Sequence, residues 1–159
     1  MVPIGNFNNM NDKHYVNTNN ARSGDKYENV IKEIAEHKVC PFCPEHIAKY
    51  HKNPILIEGT FWLATDNMYP YKPAKNHLIF IHKTHIENIS EIVGEAWAEI
   101  HKMIGQIITD RKIPGGSFLM RFGDTAFTGA SVTHLHAHLI QSNPESPDYG
   151  NSGLQARVG

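Results

Sequence analysis

Residues 133–140 read Thr133-His134-Leu135-His136-Ala137-His138-Leu139-Ile140, and this alternation decides how the rest of the chain is read. Successive side chains of a β-strand point to opposite faces. Leu135, Ala137 and Leu139 would therefore enter a core, leaving His134, His136 and His138 in a row on the other face. A solvated face is more readily built from Lys, Glu or Thr. Imidazole is a good nucleophile near neutral pH when its far nitrogen is held by an acceptor. A neighbouring imidazole can donate to phosphate oxygens or to a leaving group. A rigid strand adds orientation, which counts heavily in phosphoryl and nucleotidyl transfer. The row reads as a site for attack on phosphorus.

Outward from the row, Val132–Ile140 is expected to be the last strand, and Gly129-Ala130-Ser131 before it a turn. Ser117–Phe122 reads as another strand. The longest helix is expected from an N-cap at Ser90 to about Arg111, with Ile92, Val93, Ala96, Trp97, Ile100, Ile104, Ile107 and Ile108 as its buried face. Pro114-Gly115-Gly116 ends it. His77–His82 is apolar enough for a central strand, and Asp66–Lys75, with Pro70 and Pro73, is a loop. Ile55–Glu58 and Phe61–Thr65 flank Gly59-Thr60 as a hairpin. Asp25 could cap a short helix to about His37, with Glu28 three residues on. Residues 1–24, rich in Asn, read as a flexible or loosely docked arm, 25–141 as one domain and 142–159 as a tail. Hairpin-joined strands with one long helix indicate an α+β domain with a mainly antiparallel sheet.

The chain has 159 residues, 40% apolar and 19% charged, and a net charge of −1. That suits one globular domain. The absence of a Lys/Arg cluster argues against a nucleic-acid groove. No apolar run approaches the ~20 residues of a membrane span, and Met1–Met10 lacks the features of a secretory leader. A cytoplasmic location is expected. The only cysteines, Cys40 and Cys43 among 11 histidines, are too few and too close for a disulfide framework. Cys40-Pro41-Phe42-Cys43 is better read as half of a tetrahedral zinc site.

The row resembles the signature of the histidine-triad (HIT) family, His-φ-His-φ-His-φ-φ with φ apolar. A second stretch supports it: Asn67-Met-Tyr-Pro-Tyr-Lys-Pro-Ala-Lys-Asn-His77-Leu-Ile-Phe-Ile-His-Lys-Thr-His85 is similar to the family's Asn/Asp-x-x-Pro…His-φ-φ-φ-Ile-Pro-Lys-x-His segment. The likeness spans about residues 38–141, and Tyr-Pro-Tyr-Lys-Pro leans toward the diadenosine polyphosphate phosphorylase or hydrolase branches. It implies a five-stranded, mainly antiparallel sheet with one long and one short N-terminal helix. It also implies a homodimer and a purine nucleotide substrate cleaved or transferred through a nucleotidyl-histidine intermediate. By the same likeness His136 is the nucleophile and His138 the phosphate and leaving-group partner. Ser131 contacts the α-phosphate, Asn67 holds the ribose hydroxyls, and His77 packs against the triad. Members that keep the cysteine knuckle hold a structural zinc, which implies Cys40, Cys43, His85 and His134 here; His46 is the spare ligand, with His37 and His82 behind it.

The chain departs from the family at four places. His82 stands where Pro is usual, Gln141-Ser142 where Pro-Arg is common, and Ala130 where Gln precedes the triad. Gly123 replaces a phosphate-contacting Asn or Gln, leaving Arg121 either as a substitute, if the loop shifts, or as a surface strand residue. These bear on the phosphate pocket and leave a weakly active nucleotide-binding or regulatory module as the alternative to a hydrolase, transferase or phosphorylase. Phe61 and Trp62 are expected in the core, with the wall of a base pocket as the alternative; Trp97 is expected in the core, and His14, His51 and His101 on the surface.

Overall fold

The computed structural model describes residues 14–22, 24 and 26–159. Its scaffold is one five-stranded antiparallel sheet, β1 (Ile55–Glu58), β2 (Trp62–Asp66), β3 (Ala74–His82), β4 (Ser117–Arg121) and β5 (His136–Ser142), in the order β1-β2-β3-β5-β4. The helices are α1 (Lys26–His37), α2 (Pro44–Tyr50), α3 (Gly94–Asp110) and the single turn α4 (Thr125–Thr128). The α+β class and the antiparallel sheet agree with the sequence reading.

One face of the sheet packs on α3. Phe80, Leu78, Trp62 and Leu135 are wholly buried there with Ala96 and Ile100, and Ala137 and Leu139 of β5 join them. Each large side chain removed from water contributes ~1.5–3 kcal/mol. Glu99 ties helix to hairpin, its carboxylate accepting the amides of Thr60, Phe61 and Trp62 at 2.8–2.9 Å. A β-carbon on Gly59 would lie 2.3 Å from that carboxylate, so the turn needs glycine for the close approach.

Three expectations about α3 are corrected. Ser90 does not cap α3: Asn88 forms a capping box with Glu91 around a separate 3-10 turn, Ile89–Glu91, and the N-cap of α3 is Val93, with no side-chain bond. The α-helix then starts at Gly94. Its buried side chains are Ala96, Ile100, Met103 and Ile107, a narrower stripe than expected. Val93, Trp97 and Ile108 face outward, Trp97 with 39% of its surface exposed, because they flank the stripe rather than lie on it. Trp97 is thus no core residue, whereas Trp62 is fully buried with its indole N–H on the Ala96 carbonyl.

The second face of the sheet carries the imidazoles. It is covered by α1, α2, residues 14–22 and the C-terminal segment, with Ile31 and Ile34 of α1 packed against Val16 and Val132. Two of the helices were not expected. Pro44 opens α2 at a position where a missing N–H costs nothing, and α4 lies where a loop was read. The Asn-rich stretch from His14 on is docked, not free. Val16 pairs with Val132, and the Asn20 side-chain amide donates to the carbonyls of Thr125 and Ala130 at 2.8 Å. The rest of the expected arm, residues 1–13, and the helix cap at Asp25 lie outside the described residues. His51, expected at the surface, is buried where α2 meets β2, 2.8 Å from the Thr65 hydroxyl; His14 and His101 are exposed as expected.

Candidate active site and metal centre

The antiparallel register places Ile79 opposite His138 and Ile81 opposite His136, fixing both imidazoles on the second face. His134 lies just before β5. Its neighbour Leu135 donates its backbone amide to Ile86 and accepts that of His82, so the chain leaves the ladder there and the His134 ring turns toward the cysteine knuckle.

Cys40, Cys43, His85 and His134 bring their ligand atoms within 4.8 Å of one another. Nδ1 of His134 lies 3.2 Å from Cys40 Sγ and 3.7 Å from Cys43 Sγ, and Nδ1 of His85 lies 3.4 Å from Cys43 Sγ. The edges of a zinc tetrahedron with mixed sulfur and nitrogen ligands are about 3.5 Å. Each ring also donates its far N–H, His134 to the His82 carbonyl and His85 to Glu87 at 2.9 Å. Both donations leave the Nδ1 lone pair for a metal, the usual second partner of a histidine ligand. Burial, with Cys43 beside it, pushes the Cys40 thiol up to about 12, so a thiolate at Cys40 calls for a cation beside it. The set fits a structural zinc with all four positions filled by protein. His46, His37 and His82 stand outside the group.

His136 donates Nδ1–H to the backbone carbonyl of His134 at 2.8 Å. A carbonyl cannot donate, so the proton is on Nδ1 and the Nε2 lone pair is free. His138 is fixed by a relay. The backbone N–H of Tyr71 donates to His77 Nδ1 at 3.0 Å, and His77 Nε2 lies 2.9 Å from His138 Nδ1. His77 therefore donates through Nε2, and His138 carries its own proton on Nε2. Arg121 Nη1 stands 3.4 Å from that Nε2–H. Both groups are donors, and neither can satisfy the other. Burial, with the neighbouring charges of Arg22, Arg121 and His136, pulls His77 down to about 4, and burial likewise lowers His138. Both rings are neutral at physiological pH.

These groups line a cavity of about 560 Å³, within the range of small-ligand sites. Asn67, Ser131, Arg121, His136 and His138 all border it. His77 sits behind His138 as expected, tilted against it at 5.2 Å between centroids. Ser131 bonds the Tyr27 hydroxyl. Asn67 accepts the Tyr69 amide at 2.9 Å and lies 3.1 Å from His77 Nε2. Phe42 of the knuckle packs on His136. Sequence reasoning missed Tyr27, Tyr71 and Glu87. Tyr71 was in view within Tyr-Pro-Tyr-Lys-Pro, but nothing local shows that its ring reaches His138.

Solved structures with this fold include a HIT family hydrolase from Clostridium thermocellum, 29% identical over 68% of this chain and 94% of its own, with a TM-score of 0.54. A hypothetical histidine triad nucleotide-binding protein from Sulfolobus tokodaii strain 7 is 28% identical over 74% of this chain and 82% of its own, TM-score 0.54. The chain is similar to histidine-triad proteins in fold and in its triad motif. A Zn-bound histidine triad family protein from Mycobacterium smegmatis shares the fold at 22% identity, covering 68% of this chain and 78% of its own, TM-score 0.50. No family model and no curated protein matches the chain. Among the described residues no helix is long and apolar enough to cross a membrane.

Of the three alternating histidines, the first belongs to the metal centre and the other two to the cavity. Protein purified without chelator is expected to carry one zinc per chain by plasma mass spectrometry. Cys40→Ala should lose most of it and unfold at lower temperature. Zinc content unchanged in that variant would contradict the ligand set.

Proposed function

We propose that the chain is a nucleotide hydrolase or nucleotidyl transferase acting at the α-phosphate of a nucleoside phosphate, phosphoramidate or dinucleoside polyphosphate. The observation that carries this reading is the tautomer of His136, whose Nε2 lone pair borders the cavity while Nδ1–H is held by a main-chain carbonyl. The phosphorus–leaving-group bond breaks as Nε2 bonds to phosphorus. The imidazole becomes cationic, and its Nδ1–H bond to His134 strengthens with that charge. His138 Nε2–H and the Arg121 guanidinium stabilise negative charge on the phosphate and the departing oxygen. Water then attacks phosphorus, the P–N bond breaks, and His136 returns neutral while a water proton passes to solvent. Inorganic phosphate in place of water makes the same step phosphorolysis. Ser131 would contact the α-phosphate, and Asn67 at the cavity wall would take the ribose.

Phe42, Val30, Ile34 and Tyr50 give one end of the cavity an apolar and aromatic lining suited to a purine. The neighbours from Clostridium thermocellum and Sulfolobus tokodaii, a hydrolase and a nucleotide-binding protein by name, support the same class, as do residues 38–141 through their motifs. After incubation with an adenylyl donor and denaturation without acid, mass spectrometry should find the nucleotidyl group on His136. His136→Ala should lower turnover on the order of 10³-fold or more. An unlabelled His136, or full turnover in the variant, rejects the mechanism in favour of a weakly active binding module. Turnover with and without inorganic phosphate separates phosphorylase from hydrolase.

The reading includes a homodimer in the cytoplasm. Its support is an apolar surface on the α3 side of the sheet, where Val93, Trp97 and Ile108 are exposed and Phe118 lies on the edge strand β4. Sedimentation equilibrium should give twice the chain mass, and Trp97→Glu with Phe118→Glu should give the single-chain mass. A wild-type monomer contradicts the dimer.

A further inference from the structure

One buried imidazole has no part in the metal centre or in the attack on phosphorus. His51 follows α2, borders the same cavity as the triad and leaves only 8% of its surface exposed. Its proton is placed by two bonds. The Thr65 hydroxyl lies 2.8 Å from the Pro54 carbonyl and 2.8 Å from His51 Nε2. A carbonyl only accepts, so the one hydroxyl hydrogen goes to Pro54, and the Thr65 oxygen accepts Nε2–H from His51. Nδ1 is left with a bare lone pair. That nitrogen has no hydrogen-bond partner among the described residues and is not sealed from solvent. Burial lowers His51 from its ordinary value, which keeps the ring neutral and Nδ1 an acceptor at neutral pH.

The chain around this ring is pinned. The His51 amide donates to the Ile47 carbonyl, the Lys52 amide to Met68 Sδ at 3.0 Å, and the Asn53 side-chain amide to the Asp66 carbonyl at 2.9 Å. In the sheet register His138 stands opposite Ile79, and Ile79 opposite Thr65. The three make one row across the second face, with Thr65 two strand spacings, about 10 Å, from His138. That is comparable to the reach of a ribose and a base beyond a phosphate held at the triad. The neighbouring Tyr50 clusters with Ile31, Ile34 and Phe42, and its hydroxyl is turned to the exposed His37, 3.0 Å from Nδ1. What His51 adds to this apolar end is a fixed acceptor.

We infer that His51 selects the base of the substrate: its Nδ1 accepts a hydrogen of the 6-amino group of adenine, so that adenine nucleotides bind in preference to 6-oxopurine nucleotides. The inference rests on the proposed attack at the α-phosphate, which sets the phosphate at His136 and sends the base toward Thr65. Adenine carries a donor at position 6, where hypoxanthine carries a carbonyl. That carbonyl would face the Nδ1 lone pair, leaving two acceptors desolvated against each other. A site built to hydrogen-bond one group rejects an analogue without it more strongly than an apolar pocket can. The ring cannot take the other tautomer without giving up its bond to Thr65.

Calorimetry with AMP and with IMP, on the full chain with zinc, tests this. The wild type should bind AMP about tenfold more tightly than IMP, or better. His51→Phe should bring that ratio within about threefold of unity through weaker AMP binding, with IMP binding retained. Thr65→Val keeps the imidazole but removes the hydroxyl that fixes its tautomer, and should lower the ratio in the same direction. It decides the matter if His51→Phe does not fold. A wild-type ratio near one, or a wild-type ratio persisting in either folded variant, overturns the selection. If His136 is still labelled by an adenylyl donor, only the selection falls. If neither nucleotide binds and His136 is unlabelled, the selection and the proposed reaction fall together.

Discussion

The backbone carbonyl of His134 is the point on which the two halves of the site depend. It accepts Nδ1–H of His136 and so leaves that ring's lone pair toward the cavity. The same residue's ring closes the group formed by Cys40, Cys43 and His85. A metal that holds the ring also restrains the carbonyl of the same residue. The structural zinc site and the proposed nucleophile His136 are therefore coupled through one residue. A shift of the knuckle would move Phe42, which packs on both His134 and His136.

The two sides of the sheet divide the work. On the α3 side the core is mainly apolar, with Trp62, Phe80 and Ile100 at its centre. On the other side four imidazoles, His77, His134, His136 and His138, are buried together. Burial disfavours their charged forms, and each is lowered from its ordinary value. Neutral rings can be packed this closely only if their tautomers agree, and the relay Tyr71–His77–His138 starts from a backbone amide that cannot accept. The fixed order makes His138 and Arg121 adjacent donors with no acceptor between them.

Local periodicity and spacing carried much of this. The alternation at 134–138 predicted which side chains of β5 enter the core, because a strand repeats every two residues. The hairpin at 55–66 and the ligand set at Cys40, Cys43, His85 and His134 were legible too, the latter through a family pattern rather than spacing alone. What could not be read is what depends on distant contacts. His51 is buried because α2 turns it onto Thr65, and α2 itself hides behind prolines that read as a knuckle. Trp97 looked buried because an apolar residue near a helical stripe gives the same signal on either side of its edge. The docking of Asn20 on α4 and of Arg157 on Arg121 has no local sequence signal, since neither segment has a period.

The claim at the centre of this account is that main-chain groups fix the tautomers of the triad. Long-range ¹⁵N–¹H spectra of ¹⁵N-histidine-labelled protein with zinc bound, at pH 7, test it most directly. His136 is predicted to show a protonated Nδ1 and a bare Nε2, and His138 the reverse, with both rings neutral. A His136 protonated on Nε2, or averaging rapidly between tautomers, would contradict the account.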